Sequence, residues 1–219
     1  MQMTNIANQS FKAGGNDNAS NIQREKRREI SAQIKEAALR LFEAKGIRKT
    51  TVAELAESVG IAKGTFYNFY ATKGELVAAI MDDFDAASER ELRKKFDGRD
   101  KIPVTEFYNY YMELFRPDTA FSFHFSADDI TLMQEMEETR KYFSQEHAVK
   151  NAKLALGYVD GIRPDVDYAY IANFAKLVNL AIENRNAFCQ EAFGRNLRAI
   201  FDLMLDYLCT NEDTGKGTR

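Results

Sequence analysis

The chain has 219 residues, 45% of them hydrophobic and 29% charged. That mix excludes a mostly disordered chain and is enough for one large domain or two small ones. Formal net charge is −3, yet the segment from Asn21 to Leu76 holds eleven Lys/Arg against seven Asp/Glu, a local +4 that leaves −7 for the rest. A basic front on an acidic chain points to a front half that meets a polyanion, since only the contacting face has to be basic. No run approaches the ~18 apolar residues needed to cross a bilayer. The opening MQMTNIANQSFKAGGNDNAS has neither a basic start nor an apolar core, so no secretory leader and a cytoplasmic location are expected. Two cysteines, Cys189 and Cys209, are too few for a disulfide framework. Three prolines in a chain rich in Ala, Leu, Glu and Lys favour helices.

Residues 1–20 are polar and nearly aperiodic and read as a disordered tail. The first helix is expected from about Asn21 or Arg24 to Lys45. Ile30, Ile34, Ala37, Leu41 and Phe42 form its apolar face, and Gly46 ends it. Its start, REKRRE at 24–29, is either a solvated helix end or a contact to a phosphate or the minor groove. Thr51 and Glu54 make a capping-box pattern for a short helix, Val52 to Val59, that stops at Gly60. Another short helix runs from Ala62 or Lys63 to Tyr70. Thr72 caps a long fourth helix, with Leu76, Ile80 and Phe84 four apart, reaching about Phe96. The segment DGRDKIP at 97–103 breaks it and reads as a boundary.

Further helices follow: Val104–Arg116, one bent or two separate helices over Ile130 to about Asp160, Val166–Asn184 and Gln190–Leu208. Between them, Phe121, Phe123 and Phe125 alternate as in a short strand, and GIRPD at 161–165 is a turn. The expected fold is all-α with about nine helices. It divides into a three-helix helix-turn-helix domain (21–75), a larger helical bundle domain (76–210) and a tail (211–219).

Residues 52–71, VAELAESVGIAKGTFYNFYA, carry the functional signal. Two short helices around a Gly-containing turn are the pattern of a helix-turn-helix. Leu55, Val59, Ile61, Phe66 and Phe69 are placed to lock the helices together. Ala56 suits a close helix crossing, and Gly60 suits a turn that needs positive φ. Over about Ile30 to Ile80, roughly a quarter of the chain, the sequence resembles the tetracycline-repressor (TetR) family of bacterial transcriptional regulators. The resemblance rests on a basic first helix, Gly-Ile, Thr-Thr-Val, Ile-Ala, Lys-Gly-Thr, an aromatic cluster and Lys-x-Glu-Leu. It departs at Ala62, where Ser is common, and at Tyr70, where Phe is usual; losing the Ser hydroxyl puts one cap or phosphate contact in doubt.

The resemblance implies a recognition helix starting near Lys63 and lying in the major groove of double-stranded DNA. There Lys63 can reach a phosphate or a guanine edge, Gly64 permits close backbone approach, and Thr65 offers a hydroxyl and a methyl. Tyr67 and Asn68 project from the exposed side. By resemblance Tyr67 contacts a phosphate and Asn68 varies with the operator. Thr51 at a helix start can offer its hydroxyl and N–H to a phosphate, Lys73 is a phosphate clamp by resemblance, and Arg48 and Lys49 add charge. Tyr70 is expected to serve both core and interface.

The resemblance also implies a C-terminal domain for effector binding and dimerisation. Aromatic residues crowd it, and Phe107, Tyr108, Tyr111, Phe115, Phe125, Tyr142, Phe143 and Phe174 are the candidates for lining a pocket for an apolar or aromatic small molecule. The alternative is that they are simply core. The last two helices are apolar over more of their circumference than a monomer needs, and by resemblance they pair in a homodimer on a palindromic operator. His124 and His147 lack the spacing of metal ligands, and no Gly-rich phosphate loop, nucleophile elbow or paired catalytic carboxylates occur. No cofactor, metal, catalytic residue or membrane partner is expected. The sequence thus points to a DNA-binding transcriptional regulator, a repressor released by a ligand. The alternative is a ligand-independent DNA binder whose second domain only dimerises.

Overall fold

A computed structural model describes residues 7–96, 98–99, 101–114 and 125–209. Its helices among the described residues are α1 (Ala7–Lys45), α2 (Val52–Ser58), α3 (Lys63–Phe66), α4 (Lys73–Lys95), α5 (Val104–Leu114), α6 (Ala127–Glu135), α7 (Gln145–Leu156), α8 (Tyr168–Glu183) and α9 (Gln190–Leu208). Single 3-10 turns lie at Arg140–Phe143 and Arg185–Ala187. The all-α, two-domain expectation holds, with nine α-helices among the described residues. One small addition is a parallel pair, β1 (Ile102–Pro103) with β2 (Val159–Asp160). The chain divides into two compact units between Leu76 and Val77, within α4, one residue from the expected 75/76 division and away from the 97–103 break.

In the first unit, Ile34, Ala37, Ala38, Phe42, Ile47, Leu55, Ala56 and Phe66 are buried. α1 is the first correction. It begins at Ala7, so the segment read as a disordered tail is helical from there on. Once a helix is nucleated each further residue adds a hydrogen bond without a new nucleation cost, which lets weak formers extend it. Gly46 closes α1 at φ 83°, and Gly60 closes α2 at φ 69°. Both are left-handed conformations that a side chain resists.

α3 is shorter than expected. Beyond Phe66 the Asn68 and Phe69 amides donate to the Thr65 and Phe66 carbonyls at 3.1 and 2.9 Å. These three-residue bonds tighten the chain out of α geometry.

The second unit has its core around Phe96, Ile102, Phe107, Leu156, Val159, Phe201 and Leu208, all nearly inaccessible. The β pair arises because the Ile102 amide, buried there, must find an acceptor; it donates to the Tyr158 carbonyl at 2.8 Å. The region 130–160 resolves into two helices rather than one bent helix. Ser126 caps α6 in a capping box with Asp129, and Ser144 caps α7. The expected Phe121/Phe123/Phe125 strand falls, but for Phe125, outside the described residues, as do His124, Phe115 and the tail beyond Cys209. α9 matches its expected bounds, with Phe193, Leu197, Phe201, Met204 and Leu208 buried along one stripe. Its 19 residues, roughly 28 Å at the helical rise, separate Cys189 and Cys209 at its two caps. No helix among the described residues is long and apolar enough to cross a membrane.

Candidate nucleic-acid interface

The first unit presents its polar side chains from short, heavily tied segments. Thr51 is the N-cap of α2. Its amide and hydroxyl both donate to Glu54 Oε2 at 2.8 Å, and its Oγ1 accepts from the Glu54 amide at 3.3 Å. Glu54 is also bonded to Lys45, and this pairing, then the Thr51 amide and hydroxyl, holds its carboxyl down to about 2. Thr51 therefore has its donors committed to Glu54, and a phosphate would have to displace that carboxylate. Its nearer role is to fix where α2 starts.

Lys73, the first residue of α4, is likewise occupied. Its ammonium donates to the Ile47 carbonyl at 2.6 Å and to the Thr50 carbonyl at 2.9 Å. It thereby staples the 46–51 loop to the start of α4 and positions Arg48 and Lys49, which are exposed on that loop. Thr50, between loop and helix, is buried and donates to the Gly46 carbonyl at 2.9 Å. Sequence reading missed Thr50, whose burial leaves no mark in the local pattern.

Lys63 and Gly64 are exposed, Thr65 is half-exposed, and Tyr67 and Asn68 are exposed, Tyr67 by 47%. A Cβ at Gly64 would meet nothing within 4 Å, so that surface is open to approach. Tyr67 stands edge-on to the buried Phe66 ring at 5.6 Å, which braces an otherwise exposed phenol.

Tyr70 departs from expectation. It is only 7% exposed, and its hydroxyl shares a 2.7 Å hydrogen bond with Ser31 Oγ on α1. Its place is in the core, so it is withdrawn from the contact set. Having Tyr rather than Phe there gives α1 a polar tie to the turn. Phe69, expected in the core, is half-buried with the Arg27 guanidinium 5.1 Å above its ring. Arg27 also donates to the Asn68 carbonyl at 2.6 Å. Arg48, Lys49, Lys63, Gly64, Thr65, Tyr67 and Asn68 are thus wholly or partly exposed, while Thr51, Tyr70 and Lys73 are tied within the unit.

In the second unit the aromatic candidates divide. Phe107 is buried, and Tyr108, Tyr111 and Phe174 pack half-buried against the same core. Tyr111 lies 5.1 Å from Phe107 and 6.1 Å from Phe201, centroid to centroid, and burial pushes its hydroxyl up to about 12. Tyr108 donates to Asp202 Oδ1 at 2.8 Å; burial, then that bond, raises its titration point.

Tyr142 stands apart from this group. Its hydroxyl lies 2.6 Å from Asp82 Oδ1 and 2.9 Å from the Ala78 carbonyl, both on α4. It clasps α4 to the turn before α7, and burial, then Asp82, raises its titration point. His147 adds to the clasp, its Nε2 3.4 Å from Asp85 Oδ2. Phe125 is buried and Phe143 half-buried.

Comparison with known proteins finds likeness over the first unit in sequence and over most of the chain in fold. Residues 34–80 match the family model of bacterial regulatory proteins, tetR family. Over 79 residues the chain is 34% identical to the HTH-type transcriptional regulator TtgR of Pseudomonas putida, covering 36% of this chain and 37% of that protein. Over 59 residues it is 42% identical to the HTH-type regulator ArpR of Pseudomonas putida, covering 27% and 28%. The match therefore spans well under half the length of these curated relatives. In fold the likeness is longer. A structure described as a TetR-family transcriptional regulator from Mesorhizobium loti aligns over 84% of this chain and 98% of its own, with TM-score 0.57 and 14% identity. NalD of Pseudomonas aeruginosa, the secondary repressor of a multidrug efflux pump, aligns over 85% and 99%, with TM-score 0.52 and 16% identity. Residues 34–80 thus carry a segment similar to the bacterial regulatory proteins of the tetR family.

Proposed function

We propose that this protein is a sequence-specific, DNA-binding transcriptional regulator that reads a palindromic operator as a homodimer. The observation that carries this reading is the exposed Lys63 and Gly64 and half-exposed Thr65, with exposed Tyr67 and Asn68, held on a tied two-helix frame beside the exposed Arg48 and Lys49. In that frame α3 enters the major groove, Thr65 and Asn68 meet base edges, and Lys63, Tyr67, Arg48 and Lys49 bond phosphates. The dimer is formed through α8 and α9. Leu177, Leu180 and Leu203 are 57, 46 and 61% exposed there, apolar area that association would remove from water.

The regulator acts as a repressor released by a small apolar or aromatic effector seated near Phe107, Tyr111 and Phe174. Effector binding shifts α4, which changes the spacing of the two reading units and lowers affinity for DNA. A ligand-independent reading draws support from Tyr108 and Tyr142, whose hydroxyls already have partners within the protein. In that case the aromatic region is core alone.

Affinity of Thr65→Ala and Tyr67→Ala variants for the duplex that wild-type protein recovers from a random pool tests the assignment. Each variant should bind about tenfold more weakly, the worth of one direct hydrogen bond to a base or phosphate, while its melting temperature stays that of the wild type. Unchanged affinity in both variants would refute it.

A further inference from the structure

The α1 stretch ahead of the reading helices carries a cleft of about 410 Å³ lined by Arg24, Arg27, Arg28, Ser31, Lys35 and Phe69. The five α1 residues recur at i, i+3, i+4, i+7 and i+11, which places them on one helical stripe. Glu25 and Glu29 fall off that stripe and are absent from the lining, so four cationic side chains surround one opening with no carboxylate among them. Such a cluster is self-repelling in the free protein and is relieved by an anion.

The four cations are not equivalent. Arg27 spends its guanidinium on the protein itself: it donates to the Asn68 carbonyl at 2.6 Å and covers the Phe69 ring at 5.1 Å. Ser31 at the floor shares its hydrogen bond with Tyr70. Arg24 and Arg28 flank this tie and are exposed. The carbonyl that Arg27 holds belongs to Asn68, a residue of the reading surface, so cleft and reading turn are contiguous.

The geometry points to a division of labour along α1, one that rests on the DNA-binding reading above. Arg24 and Arg28 form a second binding surface that takes the phosphate backbone of the same duplex, flanking the bases met by α3. Arg27 is a positioning residue that sets the Tyr67–Tyr70 turn and does not contact DNA. Phosphate contacts carry no sequence information, so the α1 surface adds affinity and register without specificity.

Two measurements test this. The first is the salt dependence of affinity for a mixed-sequence duplex, comparing wild type with the Arg24→Ala/Arg28→Ala double variant and with Arg24→Lys/Arg28→Lys. Loss of the two arginines should flatten the slope of log affinity against log salt by about 0.9 per phosphate contact, roughly 2 to 4 for a dimer. The lysine variant should restore most of the slope, because a phosphate accepts a point charge. The second is amide hydrogen exchange of Tyr67–Tyr70 in the free protein, which should quicken in Arg27→Ala and stay unchanged in the double alanine variant.

If the wild type binds the duplex steeply with salt and the double variant shows the same slope, the α1 assignment is overturned while the DNA-binding reading stands. A loss in the double variant confined to A·T-rich duplexes would also overturn it, in favour of minor-groove reading. Wild-type protein that binds no duplex even at low salt overturns both. Unchanged exchange in Arg27→Ala removes its positioning role.

Discussion

In the first unit the binding surface is held by hydrogen bonds at the ends of short elements. Thr51 and Glu54 fix the start of α2, Lys73 draws the Ile47 and Thr50 carbonyls together, and Arg27 holds the Asn68 carbonyl. In the second unit long amphipathic helices meet over an aromatic and aliphatic core, with Phe96, Ile102, Phe107 and Phe201 almost wholly buried. The physical reason is size. Helices of seven and four residues bury little apolar area of their own, Leu55, Ala56 and Phe66, so their geometry rests on directional polar ties as well. Helices of sixteen and nineteen residues have area to spare, and α8 and α9 leave part of it exposed. A surface that reads DNA needs fixed donors, and one that associates needs apolar area. Each unit is built from the kind of interaction its proposed task requires.

The sharpest way to break the contrast is to empty each core in turn. Phe66→Ala in the first unit and Phe201→Ala in the second should each cost about 3–5 kcal/mol. Hydrogen exchange should localise the damage, to α2 and α3 for Phe66 and to α5 and α9 for Phe201. Equal loss of protection throughout the chain in both variants would show that the units do not differ in this way.

Leu177→Asp with Leu203→Asp places charges on the exposed α8–α9 face and should turn the proposed dimer into monomer in sedimentation, without loss of helix content. Tyr142→Phe removes the hydroxyl that meets Asp82. It should cost about 1–2 kcal/mol by denaturant unfolding and raise exchange along α4 near Ala78 and Asp82.

The smallest effect is titrational. The Glu54 carboxyl titrates near 2 in the folded protein, below its ordinary 4.5. Its contribution is therefore fully present above pH 4.5 and is lost as the pH falls through about 2. Acid should loosen the α2 amides over that range. In Thr51→Ala, itself about 1 kcal/mol less stable, the acid response should shift toward higher pH.

These ties were legible in the sequence to different degrees. The Thr51/Glu54 box and the α9 stripe were readable because both are local: a cap acts over three residues and an apolar face repeats every three or four. Gly60 was readable because its turn leaves few alternatives to glycine. The Lys73 staple to Ile47 reaches back 26 residues, and the Tyr142 clasp to Asp82 reaches back 60, and no periodicity encodes either. Tyr142 and Tyr108 looked like pocket residues because an aromatic side chain in a helix has the same pattern whether its hydroxyl faces a ligand or a carboxylate. Tyr70 looked half-exposed because its partner Ser31 lies on α1, 39 residues away. The pairing of Ile102 with Val159 escaped for the same reason, since it is decided by a distant acceptor; the end of α3 is set by local three-residue bonds that no apolar periodicity marks.

The measurement that tests the central claim most directly is selection of bound duplexes from a random pool by the purified full-length protein at fixed salt. The account predicts recovery of a palindrome whose half-sites share one face of the duplex, lost when Thr65 is changed to Ala. Recovery of no sequence above the starting pool would contradict it.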